Sequence, residues 1–171
     1  MATTYTLIAS NTLSSSAASV TFSAIPNTFT DLVLRVSARG DAAGGSTEIN
    51  LLINGSSAAN YSNTNLYGDA SSPGSNRESN STRIQLFVTD GSTATANTFS
   101  SHEVYLPNYT GSANKVVSSF NVQERNISNP AFIDVTASLR SVTDAITSLT
   151  LITASNFVSG SSFFLYGIKN S

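Results

Sequence analysis

The run TDLVLRVSAR, residues 30–39, decides the fold. Leu32, Leu34, Val36 and Ala38 fall on one side of an extended chain, and Val33, Arg35, Ser37 and Arg39 on the other. A period of two with an apolar side and a more polar side marks a half-buried β-strand. The same period recurs along the chain. TEINLLING (47–55) lines up Ile49, Leu51 and Ile53 and stops at Asn54-Gly55, a turn signal. HEVYLPN (102–108) alternates His102, Val104 and Leu106 with Glu103 and Tyr105. KVVSSFNVQE (115–124) puts Val116, Ser118, Phe120 and Val122 together, and FIDVTASL (132–139) groups Ile133, Val135, Ala137 and Leu139. AITSLTLITAS (145–155) and SSFFLYGIK (161–169) continue the pattern, and TYTLIAS (4–10) and SVTFSAI (19–25) read as two further short strands near the N-terminus.

The breaks are as regular as the strands: GDAAGGS, TDGSTATAN, PNYTGSAN and RNISNPA are Gly, Asn and Ser rich. The longest, residues 55–81, reads as one Ser/Asn/Gly-rich loop with room for a short strand. No window carries a 3.6-residue period; the one helical candidate is a single turn in SVTDAI (141–146), with Asp144 as its cap. Eight to ten short strands between turn signals, with almost no helix, predict a single-domain antiparallel β-sandwich with jelly-roll connections.

Composition narrows the function. Only 11% of residues are charged, the net charge is −2 and the pI is about 5.1, so no electrostatic footprint points to nucleic acid or an anionic membrane. The chain has no cysteine. No apolar stretch approaches the ~18 residues of a transmembrane helix, and the opening MATTYTLIAS lacks the basic segment of a signal peptide. The polar residues are mostly Ser, Thr and Asn, which hydrogen-bond without repelling a like surface. That suits a protein packed among copies of itself.

Chemistry finds little purchase. The single histidine, His102, has the sharp reading of a base or metal ligand, but no partner motif accompanies it, and an ordinary strand histidine is the favoured reading. The carboxylates are scattered singly, no G-x-S-x-G elbow is present, and GDAAGG lacks the Gly-Lys-Ser/Thr of a phosphate loop. We therefore expect no enzyme, no catalytic residue, no metal and no cofactor. The candidate contact residues are Tyr61, Tyr67 and Tyr109, aromatics in loop-like surroundings, with Arg77 and Arg83 as rim contacts; the competing and favoured reading of the tyrosines is that they plug the ends of the sandwich with their hydroxyls in water.

A set of segments in order carries a family resemblance: YTLI (5–8), FTDLVLRVSARG (29–40), NYSNTNLYGDASS (60–72), PNYTGSANK (107–115), AITSLTL (145–151) and FFLYGIKNS (163–171). Together they resemble the small β-rich virion structural proteins of tailed bacteriophages, notably those infecting cyanobacteria and other aquatic bacteria. The resemblance implies a non-enzymatic component of the virion, assembled in the host cytoplasm. The reading preferred is a capsid decoration (cement) protein on the outer surface of the head, a homotrimer that contacts the major capsid protein and bridges capsomers. The alternative is a tail-fibre or receptor-binding head that takes host glycans on its loop tyrosines; a carbohydrate-active enzyme is weaker still. Open sheet edges favour an oligomer, because the two lysines of the chain leave few charges to blunt them.

The final strand poses its own question. Phe163 and Leu165 are expected to enter the core, and Phe164, Tyr166 and Ile168 to face the other way, where something must cover them. Gly167 is expected to permit a bulge or a close approach.

Overall fold

A computed structural model describes residues 4–69, 71–125 and 131–169. Part of the RNISNPA break and the last two residues of FFLYGIKNS lie outside the described residues. Within them the protein is all-β: β1 (Tyr5–Thr12), β2 (Ala17–Phe22), β3 (Asp31–Ala38), β4 (Ser46–Ile53), β5 (Tyr61–Gly68), β6 (Pro73–Ser81), β7 (Ile84–Asp90), β8 (Ser100–Leu106), β9 (Lys115–Gln123), β10 (Phe132–Arg140), β11 (Leu149–Phe157) and β12 (Ser162–Ile168).

The strands form two antiparallel sheets. The large one runs β1-β12-β3-β8-β9-β10-β5-β6 and the small one β2-β11-β4-β7. Eight of these strands are a jelly roll. β1 pairs with β12, β2 with β11, β3 with β8 and β4 with β7, which is one long antiparallel ribbon. Winding that ribbon closes β12 onto β3 and β11 onto β4. The other four strands are two insertions, β5-β6 and β9-β10, which extend the large sheet beyond β8.

The hydrophobic core maps onto the jelly roll. Leu32, Leu34 and Val36 of β3 meet Ile49, Leu51 and Ile53 of β4, with Phe163 and Leu165 of β12 and Leu149 and Leu151 of β11. Of the four inserted strands, only Tyr61 and Val117 belong to the core cluster. The final strand is therefore central, flanked by β1 and β3, with Phe163 and Leu165 fully buried as expected. Its other face is only partly covered: Phe164 and Tyr166 are half-buried, and Tyr5 packs edge-on against Tyr166. Gly167 allows a close approach, because a Cβ there would collide with the Phe29 ring.

Three expectations need correction. Strands number twelve, not eight to ten. Residues 55–81 are not one loop: Tyr61–Gly68 and Pro73–Ser81 form a hairpin paired from Tyr61↔Ser81 to Gly68↔Pro73. SVTDAI is not a helical turn; Asp144 instead receives the Arg140 guanidinium on both oxygens and Asn54 Nδ2 at 3.0 Å. The Asn54-Gly55 turn is present, with φ of 53° and 64° and a Ser56 N–H bond to the Ile53 carbonyl of 3.1 Å. Two positive φ values at such a turn are tolerated best by Asn and Gly.

Candidate interaction face

In the inserted half of the large sheet the usual polarity is reversed. On β9 the buried side chains are Lys115, Val117, Ser119, Asn121 and Gln123; on β10 they are Asp134, Thr136, Ser138 and Arg140. On β5, Asn63 and Asn65 are buried. The apolar members of the alternation point outward.

The edge of the small sheet gives a physical reason. Its last strand, β7, packs across β8, β9, β10 and β5. An edge strand presents unpaired backbone groups that need partners. The inward polar side chains supply them: Asn63 Nδ2 donates to the Arg83 carbonyl (3.0 Å), and its Oδ1 accepts from Gln85 N–H (3.2 Å) and Ser138 Oγ (2.8 Å). A chain of polar contacts then crosses four strands. His102 Nδ1 is paired with Asn121 Oδ1 at 2.9 Å, and Asn121 Nδ2 donates to Asp134 Oδ1 at 2.7 Å. Thr136 Oγ1 donates to the same oxygen at 2.8 Å and accepts from Asn65 Nδ2 at 3.0 Å. Burial pushes the His102 pKa down to about 4, against the hydrogen bonds to Asn121 and the Leu86 backbone. Burial also raises the Asp134 carboxyl above its ordinary value, against its bonds to Thr136, Asn121 and Asn65. His102 is thus a buried strand histidine in a structural network.

The outward face is the mirror of this. Leu66, Val116, Phe120, Ile133 and Val135 are each between 47% and 62% exposed. Register groups most of them: Leu66 stands opposite Val135, and Val135 opposite Phe120, in one row across β5, β10 and β9. The next row on one side adds Ile133 beside Val122; on the other side Ala137 stands between Ser118 and Thr64, and Leu139 beside Val116 comes one row further on. The rows of Val135 and Ile133 form one continuous apolar surface, and the Ser118–Ala137–Thr64 row separates it from Val116 and Leu139. Its rim is polar. Arg77 of β6 stands opposite Thr64 on one side. On the other side Glu103 follows Phe120 and pairs with Arg35 at 2.8 Å, both half exposed. The surface holds shallow grooves, one of about 290 Å³ by Gly68, Val122 and Ile133 and one of about 170 Å³ by Tyr105, Phe120 and Val135. Grooves this small and open receive side chains of a protein partner better than they enclose a small molecule.

The five residues singled out from sequence do not form one site. Tyr61 is buried, its hydroxyl donating to the Ser56 carbonyl (3.0 Å). Tyr109 is buried, its hydroxyl donating to the Pro26 carbonyl. Both plug ends of the sandwich, so their reading as exposed contacts is corrected. Tyr67 is half-buried and stacks on Phe87 at 5.1 Å, with Phe132 edge-on to both. Phe87 reaches them because β7 bulges there, at a φ of 64°, which re-aims the side chain. Arg83 pairs with Glu48 at 3.4 Å. Arg77 is exposed on β6, opposite Thr64 and beside the apolar face.

Sequence reasoning missed the apolar face itself. The alternation of β9 and β10 was visible, but which side of the sheet it faces was not. Compared with known proteins, the chain matches no family model, no curated protein and no solved structure.

Proposed function

We propose that this protein is a non-enzymatic structural component of a virion: a capsid decoration protein that seats the outer face of its inserted half-sheet on the major capsid protein and so bridges capsomers. The observation that carries the proposal is the apolar row Leu66–Val135–Phe120 with its neighbours, exposed on a rigid sheet and rimmed by Arg77 and the Arg35–Glu103 pair. An apolar centre within a polar rim is the anatomy of a protein–protein interface. Contiguous exposed apolar surface of this kind marks an interaction site in a folded protein. Covering the half-exposed remainder of Leu66, Phe120, Ile133 and Val135 contributes roughly 4 kcal/mol before the costs of association. The resemblance to phage virion proteins names the partner. The receptor-binding alternative relied on Tyr61, Tyr67 and Tyr109, and two of those three hydroxyls are turned inward onto backbone carbonyls.

The test is copy number in purified particles, joined to one variant. Hundreds of copies per virion are expected, and a count of a few or a few dozen would overturn the decoration reading. Val135→Asp, a change on the exposed face, should fold normally yet fail to bind particles lacking the protein. Undiminished binding would remove the apolar face from the proposal.

A further inference from the structure

The two sheets have four edge strands, and the chain treats them differently. β7 is satisfied by the inward polar layer, with Asn63 holding both the Arg83 carbonyl and the Gln85 N–H. β6 carries Pro73, Arg77 and Glu78, residues that blunt an edge. The remaining edges are β1 and β2, the first strands of the large and small sheets. Only residues 13–16 separate them, so they lie on the same side of the sandwich. Neither β1 nor β2 contains a charged residue or a proline, and the charge beside them is Lys169, whose backbone N–H meets the Thr4 carbonyl at the start of β1. Of the two lysines, Lys115 is buried in β9, where its Nζ donates to the Gly111 carbonyl (2.6 Å), and Lys169 follows β12. On β1, Tyr5 and Leu7 are about half exposed, and Ser10, Asn11 and Thr12 are exposed beyond them.

We propose that two copies of this chain pair edge to edge through β1, so that the large sheet runs from one copy into the other about a two-fold axis. A second copy fits because antiparallel pairing of one strand with itself is isologous and needs no complementary partner surface. No charge within β1 itself opposes it. A three-fold ring would need β1 to dock on a different edge: β6 is blunted and β7 satisfied, which leaves only β2, and a three-chain mass would report that pairing. The register of β1 against β12 slips by one residue between Leu7 and Ala9, so the pairing centres on the regular run Ala9–Thr12. The side formed by β1 and β2 covers on the order of 500 Å² per partner, from strand rise and sheet spacing. That is below the ~800 Å² of a standard interface, so association falls in the micromolar range or weaker. The pairing is independent of whatever the apolar face binds.

Sedimentation equilibrium of the full chain between about 1 and 300 μM tests it. The mass should climb from 17.8 kDa toward twice that value, and a Ser10→Lys/Thr12→Lys double variant should stay at 17.8 kDa. Val135→Asp should leave the dimer intact. A wild-type chain that stays monomeric, a three-chain mass, or association lost in Val135→Asp but kept in the lysine variant would each overturn the proposal. Amide hydrogen exchange on the wild type reads the same edge without a substitution. Protection over Ala9–Thr12 should rise with protein concentration, and concentration-independent exchange there would also overturn it.

Discussion

His102 and Gly167 show what single residues contribute. With a pKa near 4 in the folded chain and about 6.5 when unfolded, His102 is unprotonated in the native state over a window where the unfolded chain binds a proton. Stability therefore falls as pH drops through that window, by up to about 3 kcal/mol. Asp134 has the opposite sign: its folded pKa is raised, so its contribution weakens as pH climbs above the ordinary carboxyl value. As the chain has one histidine, its imidazole proton resonance can be followed alone. It should stay flat from about pH 7 to about pH 5, and a midpoint near 6.5 would place the ring in water. Gly167→Ala would push a methyl into the Phe29 ring and should cost about 1–3 kcal/mol by urea unfolding; an unchanged midpoint would mean Phe29 moves freely. Both residues were legible in part. A histidine in an alternating apolar run reads as a strand residue, which is where His102 lies, and a glycine inside an aromatic strand reads as a close approach. Tyr61 and Tyr109 were not legible, because a tyrosine among Asn, Ser and Gly looks the same whether its hydroxyl meets water or a backbone carbonyl.

At the level of strands, the jelly-roll elements were visible because each has one apolar side against the core. The β5-β6 hairpin was not, for a matching reason. Its inward residues on β5 include Asn63 and Asn65, and β6 is exposed along nearly its whole length. A sequence with no apolar face has no hydrophobic alternation to detect, and YSNTNLYG reads as loop although it ladders fully with β10. On β9 and β10 the alternation was plain but its side was not, since only the position of β7 decides that the polar set points inward. β12 yields the sharpest prediction at this scale. Truncation after Gly160 removes Phe163 and Leu165 from the core and leaves β1 and β3 with no strand between them. Such a chain should show no cooperative thermal transition and no native near-ultraviolet circular dichroism. A folded 1–160 fragment would contradict the central place of β12.

For the whole molecule, the jelly roll and its extension divide the labour. The wound ribbon holds nearly all of the apolar core, and the inserted strands hold a polar inner layer and an apolar outer face. Stability and recognition should therefore separate under mutation. Val135→Asp should shift the unfolding free energy by no more than about 0.5 kcal/mol, as surface changes do, whereas Leu165→Ala, at a fully buried site, should cost about 2–5 kcal/mol. Equal losses in the two variants, measured by urea denaturation, would show that the outer face is part of the core after all. The winding of the ribbon also sets a timetable. β12 inserts between β1 and β3, and β11 between β2 and β4, so both sheets close only around strands made late. While the ribosome is still adding residues before Leu149, β1 and β2 have no permanent neighbours, whereas β3 can already pair with β8 and β4 with β7; the hairpins β5-β6, β8-β9 and β9-β10 are the pairings available between consecutive strands. The rest joins segments far apart in sequence, which makes folding slow, on the millisecond-to-second scale. Newly made chains thus carry open, uncharged β1 and β2 until β11 and β12 have been made, and crowding on a polysome is where this protein is most exposed to pairing with the wrong neighbour.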